Sequence, residues 1–525
     1  DSSINVDGST ASVSSDKDGK ILVACYESDG RLKSIKSQDI AAGATETVTV
    51  NENDKVLLWD GTDSIEPLTD AATVNAAEPT PTADVSEPTP TADVSEPTST
   101  PGTDEPKPIG ETIKFDFGSG DNVADGYYSV TKDTHYNSNI VDGLQFGLLG
   151  TDENDYKLGT YIDGMELKQG QVIVLKEGQK ESISSADDDY IGSAPQEEAN
   201  YKVAGDYPVR FSMKAENNHY YKVKVTLTGL DQTKAANATV FSERRHPIIT
   251  DETIPAGESK SVEFIATLQN VAIKDRDADK TITYADDMLN VVALGDNVAV
   301  SSIEVTEIEH QPTMWLYTDS TGCDYAALLP YFELQNYGGT GQYFTKYLPE
   351  GITISNQGDG GLNAADSEHW NAAKDNITAG DYVYVQYGHN HKSDSTVAPG
   401  NLGYLKSIPK YYEHAHNVGA MTIYAGPIDR HNASQYNAET NIWNSSLNGF
   451  SKTAKYYTEI LITAGKAKAD EFVSKATEES ADGINIADST FAWADEVIAQ
   501  GITADGVKDV AFVDLNQPTL DWLSE

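Results

Sequence analysis

Short runs in which apolar and polar residues alternate fill most of the chain before residue 310. Residues 222–227, Lys-Val-Lys-Val-Thr-Leu, are an example. Successive side chains of a β-strand point to opposite sides, so this run has one apolar and one polar face. The pattern predicts β-structure with one face on a core and the other face in water.

The positions of these runs predict two β-domains. Residues 1–75 carry apolar runs separated by Asp-Gly, Ala-Gly and Asn-Asp turn signals, and they predict a small immunoglobulin-like β-module. Residues 111–310 predict a larger β-sandwich of the galactose-binding or jelly-roll kind. The predicted strands are residues 21–26, 45–50 and 55–60 in the module, and 114–117, 220–228, 261–269 and 301–308 in the sandwich.

Three aspartates within the predicted sandwich form an Asp-x-Asp-x-Asp pattern at Asp275, Asp277 and Asp279. Carboxylates at this spacing could present oxygens to calcium, which makes them a candidate metal site. The downstream glycine and bidentate glutamate of a helix-loop-helix calcium site are missing. We therefore expect a solvated hairpin tip at this position.

A perfect nine-residue repeat separates the two β-domains. Glu-Pro-Thr-Pro-Thr-Ala-Asp-Val-Ser occurs at residues 78–86 and again at 87–95. Its prolines favour extended polyproline geometry, its acidic residues repel one another, and it has almost nothing to bury. Residues 76–110 are therefore predicted to be a semi-rigid linker, of a kind typical of secreted modular proteins that act on polymers.

From residue 311 to residue 525 the pattern changes to short apolar strands that alternate with helical segments. The apolar residues of segment 466–479 recur at three- and four-residue spacing, as on one face of a helix. Repeated alternation of strand and helix predicts a five-stranded parallel sheet with helices on both faces, a three-layer α/β/α domain. The predicted strands are residues 314–317, 352–355, 382–387, 420–425 and 510–513.

The charge and hydropathy of the chain narrow the classes of partner. Acidic residues outnumber basic ones by 83 to 37, and a surface with a net charge of −46 repels phosphate backbones and anionic lipid headgroups. No run approaches ~18 consecutive apolar residues, so we expect neither nucleic acid binding nor membrane insertion. The chain begins at Asp1 without a basic-then-apolar leader, which we interpret as a processed or excised piece.

Polar or glycine-rich turns follow three consecutive strands of the predicted sheet. The carboxyl ends of parallel strands meet at one edge of a sheet, and the chemistry of such domains lies there. A serine on a tight turn can be a nucleophile, and glycine N–H groups and asparagine amides can stabilise a developing oxyanion. The turns are residues 318–321 (Thr-Asp-Ser-Thr), 356–361 (Asn-Gln-Gly-Asp-Gly-Gly) and 386–391 (Gln-Tyr-Gly-His-Asn-His).

These turns resemble the sequence blocks of the SGNH, or GDSL-type, hydrolases, and most closely those of the rhamnogalacturonan acetylesterases. The family's Gly-Asp-Ser-Thr block corresponds to residues 318–321, with threonine in place of glycine. Its asparagine followed five residues later by glycine corresponds to Asn356 and Gly361. Its Gly-His-Asn-Asp block corresponds to residues 388–391, with histidine in place of the final aspartate. The sandwich resembles the β-domain that precedes the esterase domain in longer bacterial members.

The resemblance implies a serine esterase that removes acetyl groups from pectic polysaccharide through an acyl-enzyme. Ser320 is the implied nucleophile, and the Gly361 N–H and the Asn390 side-chain amide are the implied oxyanion hole, joined by the Ser320 N–H. Asp319 and His389 are expected to support these groups. The implied reaction needs neither a metal nor an organic cofactor.

The general base is the open question in the sequence. The family carries it in an Asp-x-x-His block after the fifth strand, whereas residues 514–516 (Asp-Leu-Asn) follow that strand here and no such block comes after them. Either the sequence lacks a last block that the whole protein has, or the domain has lost the block and is not catalytic. Residues 366–369 match Asp-x-x-His between the second and third strands, so His369 is one candidate base. His391, on the turn after the third strand, is the other.

These observations favour a secreted, modular carbohydrate-active protein. We expect it to be bacterial and extracellular, held at a cell surface or in a multi-enzyme assembly. Its expected substrate is acetylated plant cell-wall polysaccharide of the rhamnogalacturonan type. The alternative is a catalytically inactive relative that binds glycan or builds cell-surface structure, so a polysaccharide or glycan is the expected partner in both cases.

Overall fold

A computed structural model gives the chain as two compact units, Asp1–Thr98 and Ser99–Glu525. The residues that it describes are 2–59, 107–148, 206–324, 339–429 and 447–516, most with short gaps, and a few short pieces outside these ranges. Most of the predicted linker lies outside the described residues. Among the described helices, none is long and apolar enough to cross a lipid bilayer.

The N-terminal unit is all-β, as predicted. Its strands are β1 (Ser3–Asp7), β2 (Thr10–Ser14), β3 (Gly19–Tyr26), β4 (Leu32–Ile40), β5 (Thr45–Thr49), β6 (Lys55–Trp59) and β7 (Ala72–Thr73). They form one sheet in the order β1-β2-β5 and a second in the order β4-β3-β6-β7. Side chains of both sheets, among them Val13, Ile21 and Val56, share one buried core. The predicted strands correspond to β3, β5 and β6.

The second unit begins with a β-sandwich whose strands are antiparallel except for the parallel pair β8 and β9. Its strands up to residue 229 are β8 (Ile113–Phe117), β9 (Tyr128–Val130), β10 (Ile140–Val141), β11 (Leu144–Leu148), β12 (Ile183–Ser184), β13 (Ile191–Gly192), β14 (Ala194–Pro195), β15 (Asp206–Tyr207), β16 (Val209–Lys214) and β17 (His219–Gly229). Its later strands are β18 (Ala236–Ser242), β19 (His246–Ile254), β20 (Ser259–Leu268), β21 (Val271–Asp275), β22 (Lys280–Tyr284), β23 (Met288–Leu294) and β24 (Val298–Ile308).

Two sheets of this sandwich enclose one core. The first sheet has the order β10-β11-β16-β23-β18-β19, and the second has the order β12-β13-β24-β17-β20 with β8 paired to β24. Phe115 of the second sheet and Phe211 of the first are fully buried, with ring centroids 4.8 Å apart. The alternation at residues 222–227 is confirmed, because Val223, Val225 and Leu227 are buried while the polar residues between them are half-buried.

The candidate calcium pattern falls at the ends of β21 and β22. These strands pair antiparallel, and Asp275 lies opposite Lys280. Asp277 and Asp279 lie outside the described residues, as does the side chain of Asp275. Within the part of the chain that is described, no group of three or more His, Cys, Asp or Glu side chains could hold a metal ion.

A five-stranded parallel sheet follows, which confirms the prediction from the alternating pattern. Its strands are β25 (Thr313–Thr318), β26 (Thr353–Asn356), β27 (Tyr382–Gln386), β28 (Met421–Ala425) and β31 (Val510–Val513), and a short hairpin, β29 (Tyr436–Asn437) and β30 (Ile442–Trp443), lies apart from them. The order is β26-β25-β27-β28-β31, and each neighbouring pair is parallel. Trp315, Leu316 and Tyr317 of the first strand are fully buried because strands of such a sheet are covered on both faces.

The five described α-helices pack against one face of this sheet. They are α1 (Glu368–Ala373), α2 (Gly400–Ser407), α3 (Pro409–Val418), α4 (Asn448–Glu479) and α5 (Asp488–Ile498). Their buried side chains share a core with Trp315 and Tyr317. On the opposite face, Leu316 packs with Phe344 of the 3-10 helix Thr340–Lys346. Among the described residues this face carries no α-helix, so the prediction of helices on both faces is wrong there; sandwich strands pack on this side of the sheet instead.

Helix α4 includes the segment that the spacing predicts at residues 466–479, but it begins earlier. Gly465 interrupts the helix with φ 77° and ψ −178°. A Cβ atom at this position would lie 2.0 Å from the carbonyl oxygen of Asp505, so only glycine fits both the backbone angle and the contact. The helical periodicity therefore restarts after residue 465, which is why the sequence pattern shows the second half alone.

The sandwich packs directly against the edge strand β26 and the 3-10 helix. The Thr353 hydroxyl donates a hydrogen bond to the carbonyl of Ile265 over 3.0 Å, and the Gln357 amide donates to the carbonyl of Asn270 over 3.0 Å. Thr345 donates to a carbonyl of β19 over 2.7 Å. These contacts join the sandwich and the parallel sheet into one compact unit.

Candidate functional site

The loop that carries Ser320 forms directly at the carboxyl end of β25. One carboxylate oxygen of Asp319 accepts hydrogen bonds from the Thr321 backbone N–H over 2.9 Å and from the Thr321 hydroxyl over 2.8 Å. The Asp319 carbonyl accepts from the N–H groups of Gly322 and Cys323. An aspartate that bonds to the backbone two residues on stabilises a tight turn, and it leaves Ser320 half-buried at the end of the strand.

Asn356, at the end of β26, connects the second loop to the loop of Ser320. Its side-chain nitrogen donates to the Gly322 carbonyl over 2.9 Å and to the carboxylate of Asp324 over 2.6 Å. Its side-chain oxygen accepts from the Gly358 N–H over 3.0 Å. Asn356 is fully buried, so each of these bonds replaces one that water would otherwise supply. Its amide fixes two loops relative to each other.

The third loop, after β27, contacts both of the others. The Gln386 side chain donates to the Thr321 hydroxyl over 2.9 Å. The Asn390 side-chain amide donates to the Leu362 carbonyl over 2.7 Å, next to Gly361. Gly361 has φ 84°, in the left-handed region that glycine adopts without steric cost. The structure thus brings the loops of Ser320, Gly361 and Asn390 together at one edge of the sheet.

His391 is held by backbone groups on both sides of its ring. Its Nδ1 lies 2.7 Å from the Ala398 carbonyl oxygen, and its Nε2 lies 2.8 Å from the backbone nitrogen of Ala364. Nδ1 therefore carries the proton and Nε2 accepts one, which is a neutral imidazole. Burial lowers the pKa of His391 to about 4. With both nitrogens occupied, His391 has no site for the Ser320 proton, so it is not retained as a candidate base.

His369 is fully buried between two carboxylates. Its Nδ1 lies 3.0 Å from Asp366, three residues earlier in the same Asp-x-x-His match, and its Nε2 lies 3.4 Å from Asp359. Burial alone would lower its pKa, but the two carboxylates outweigh it and raise the pKa to about 9. A protonated imidazole cannot accept a proton at neutral pH. His369 is therefore not retained as a candidate base either.

His389 is nearly buried on the same loop as Asn390. Its Nε2 lies 2.7 Å from the Ile428 carbonyl oxygen, so Nε2 carries the proton and donates it to that carbonyl. This bond ties the third loop to the segment that follows β28. The residues after β31 reach the same segment, since the Asn516 amide donates to the Pro427 carbonyl over 3.1 Å and to Asp429 over 3.2 Å.

The structure adds a residue to the site that the sequence patterns did not single out. Asp324 is buried four residues after Ser320 and contacts Asn356, Arg244 and His246. Burial would raise its pKa, but the charges of His246 and Arg244, together with hydrogen bonds, hold that pKa below its usual range. In the sequence, only the short distance from Ser320 along the chain could have indicated Asp324. Nothing in the local sequence indicates its partners in the sandwich.

No protein family and no curated protein matches the chain in sequence. Similar solved structures include the YxiM protein from Bacillus subtilis, 17% identical with a TM-score of 0.28, over 74% of this chain and 98% of that one. A family two carbohydrate esterase from Cellvibrio japonicus is 11% identical with a TM-score of 0.20, over 60% of this chain and 91% of that one. A carbohydrate acetylesterase from Xanthomonas citri is 12% identical with a TM-score of 0.16, over 42% of this chain and 57% of that one. Scores this low assign neither a family nor an activity.

Proposed function

We propose that the parallel-sheet region is a serine esterase that removes acetyl groups from plant cell-wall polysaccharide of the rhamnogalacturonan type. The observation that carries the proposal is the set of hydrogen bonds that joins three loops at the carboxyl edge of the sheet. Asn356 reaches Gly322, Gln386 reaches Thr321, and Asn390 reaches Leu362. A nucleophile and two oxyanion donors need such fixed relative positions.

In the proposed reaction, the Ser320 Oγ attacks the acetyl carbonyl carbon and its proton passes to a general base. The tetrahedral intermediate then expels the sugar oxygen, which takes up the proton, and leaves an acetyl group on Ser320. Water, deprotonated by the same base, attacks the acetyl carbonyl of this ester; the intermediate expels the Ser320 oxygen, which takes the proton back from the base, and acetate is released. No step requires a metal or an organic cofactor.

The proposed oxyanion hole consists of the N–H groups of Ser320 and Gly361 and the side-chain amide of Asn390. An asparagine amide has two hydrogens, and one of those of Asn390 is already donated to Leu362. That bond orients the amide, so the second hydrogen can face the oxyanion. Donors of this kind contribute about 3 to 4 kcal/mol each to the transition state.

The proposal assigns the role of base to an imidazole other than His369 and His391. His389 is included in the variant series because it lies beside Asn390 in sequence and its Nε2–H is committed to Ile428.

A second candidate function has its own support. Hydrogen bonds or ion pairs already occupy the ring nitrogens of His369 and His391. Thr318 is buried at the position where the resembled family has glycine. These features favour a relative that binds glycan or builds surface structure without hydrolysis. A Cβ atom on Gly358 would lie 2.4 Å from the methyl group of Thr318, so the threonine side chain fills the space beside this loop. In both versions we place the protein outside the cell, with a polysaccharide as its partner.

The deciding experiment measures acetate release from acetylated rhamnogalacturonan and from an aryl acetate. The full chain is compared with Ser320→Ala, with His389→Ala and with the control Ser367→Ala, an exposed serine at the start of α1. We expect activity in the chain and in the control, and none in Ser320→Ala. Equal rates in the chain and Ser320→Ala would overturn the esterase proposal. Absent hydrolysis together with calorimetric binding of the deacetylated polysaccharide would establish the second function.

A further inference from the structure

The turn between β18 and β19 of the sandwich inserts buried, charged side chains into the parallel-sheet region. It consists of Glu243, Arg244 and Arg245, and Glu243 and Arg245 have φ 46° and 62°. Positive φ at residues with side chains is costly and persists where surrounding contacts hold it. Arg244 and the following His246 are almost fully buried, so the turn is not a solvated hairpin end.

Both side chains converge on Asp324. The Arg244 Nε and the His246 Nε2 each lie 3.1 Å from the same carboxylate oxygen of Asp324. The other carboxylate oxygen accepts from the Asn356 amide over 2.6 Å. Side-chain exposure is 7% for Arg244, 7% for His246 and 1% for Asp324, so water does not compete for these bonds.

The network continues to the loop of Ser320 by two routes. Arg244 also donates to the backbone carbonyl of Asn356, whose side chain holds the Gly322 carbonyl over 2.9 Å. Asp324 belongs to the Ser320 loop itself. The loop is therefore bonded at Gly322 and at Asp324 to groups that a sandwich hairpin holds in place.

A contact that only held the sandwich against the sheet would not need buried charged side chains. Burying an arginine, a histidine and an aspartate costs desolvation free energy, and apolar side chains of similar volume often stabilise an interface as well or better. Buried polar groups instead select one geometry, because each bond has a direction and an unpaired partner is costly. The buried network is thus suited to fixing the position of a loop.

We propose that Arg244 and His246 of the sandwich are positioning residues for Ser320, acting through Asp324 and Asn356. In its catalytic part, this inference rests on the proposed function. The sandwich is then a component of the active site rather than a separable module.

The experiment uses the full chain and two measurements, one of which does not depend on catalytic activity. The variants are His246→Ala, His246→Gln, which keeps an N–H donor near the position of Nε2, and Asp324→Asn. The control is Thr345→Ala, which removes a hydrogen bond from Thr345 to Pro247 at the same interface without touching Asp324. Hydrogen exchange of the peptide covering residues 313–324 is the first readout and needs no activity. The split between kcat and KM on an aryl acetate is the second.

We expect His246→Ala and Asp324→Asn to speed exchange in this peptide by about tenfold and to lower kcat by about 10- to 100-fold, with KM changed less than about twofold. His246→Gln should recover most of both effects, and Thr345→Ala should change neither. A folded His246→Ala with unchanged exchange would overturn the inference, and so would faster exchange with an unchanged kcat. If the parent chain hydrolyses nothing, the proposed function fails while the exchange readout still decides whether the hairpin holds the loop.

Discussion

The side-chain nitrogen of Asn390 lies 2.7 Å from the carbonyl oxygen of Leu362, and this bond joins the third loop of the site to the second. The same amide has a second hydrogen, which the proposed function directs at the oxyanion. Under the proposed function, this one side chain would both join the two loops and stabilise the oxyanion.

Replacing Asn390 with alanine should lower kcat for an aryl acetate by about 10²- to 10³-fold, because the oxyanion loses a donor. KM should change much less, since the donor acts mainly in the transition state. Steady-state kinetics check the prediction, with Asn371→Ala, an exposed asparagine on α1, as the control. A kcat reduced equally in both variants would contradict the assigned role.

Protonated His369 should stabilise the fold at neutral pH and lose that effect in alkali. Its folded-state pKa, about 9, lies above the ordinary value of about 6.5 because Asp359 and Asp366 outweigh the effect of burial. The stabilisation is complete below about pH 6.5, where it is on the order of 3 kcal/mol, and it is lost as the pH rises from there through about 9.

Urea unfolding at pH 7 and pH 9.5 tests this relationship. The free energy of unfolding should fall between the two values, and His369→Gln should remove most of that fall. Lys410, whose pKa burial lowers to about 8, titrates in the same window, so the difference between parent and variant isolates His369. His416→Gln, which changes an exposed pair with Asp509, is the control. An identical pH slope in parent and His369→Gln would refute the prediction.

Replacing His391 with alanine should reduce the free energy of unfolding by about 2 to 5 kcal/mol. The substitution leaves the Ala364 N–H and the Ala398 carbonyl without their bonds to the ring, and it opens a cavity beside Tyr404 and Phe450. Chemical denaturation gives the value, and His414→Ala, which loses one hydrogen bond at a half-buried site, should cost clearly less. An equal reduction of the free energy of unfolding in the two variants would show that the burial of His391 does not contribute to stability.

Asp381 should be essential for stability but not for catalysis. Its carboxylate accepts hydrogen bonds from the Thr313 and Thr378 N–H groups and from the Trp315 indole, all within 3.0 Å. Asp381→Ala leaves these three donors without an acceptor, so we expect the free energy of unfolding to fall by about 3 kcal/mol or more.

Denaturation followed by tryptophan fluorescence measures this loss, and Asp375→Ala, at a side chain that is 78% exposed, is the control. At temperatures where Asp381→Ala remains folded, its kcat should match that of the parent, because Asp381 precedes β27 and lies at the amino ends of the strands. A kcat reduced tenfold in the folded variant would mean that this end of the sheet contributes to the site.

The strand positions could be predicted from the sequence because each depends on neighbouring residues. An apolar run bounded by turn residues predicts a buried strand wherever it occurs, and all five strands of the parallel sheet were found in this way. The second half of α4 was found from its spacing, whereas its first half was not. Gly465 breaks the periodicity there, and the contact with Asp505 that requires glycine is formed only in the folded chain.

The candidate site could be predicted only in part. Ser320, Gly361 and Asn390 follow strands that end at one edge, so their common location is a consequence of topology. The candidate bases differ from them, since the same Asp-x-x-His spacing suits either a catalytic pair or a buried ion pair. Asp359 distinguishes the two cases. It lies ten residues before His369 in the chain, and the structure places its carboxylate at the second ring nitrogen of His369.

The sequence alone predicts where the strands of the sheet form, which turns carry polar groups, and which side chains are candidates for acyl transfer. These properties are local, because the periodicity of burial and the angles of a turn are set by consecutive residues. Which polar groups already have hydrogen-bond partners, and which groups hold the loop of Ser320, became visible only in the folded structure. Arg244 and Asn356 are 112 residues apart in the chain and form a buried hydrogen bond. Pairing over such a distance depends on how the sandwich packs on the sheet, and no local pattern encodes it.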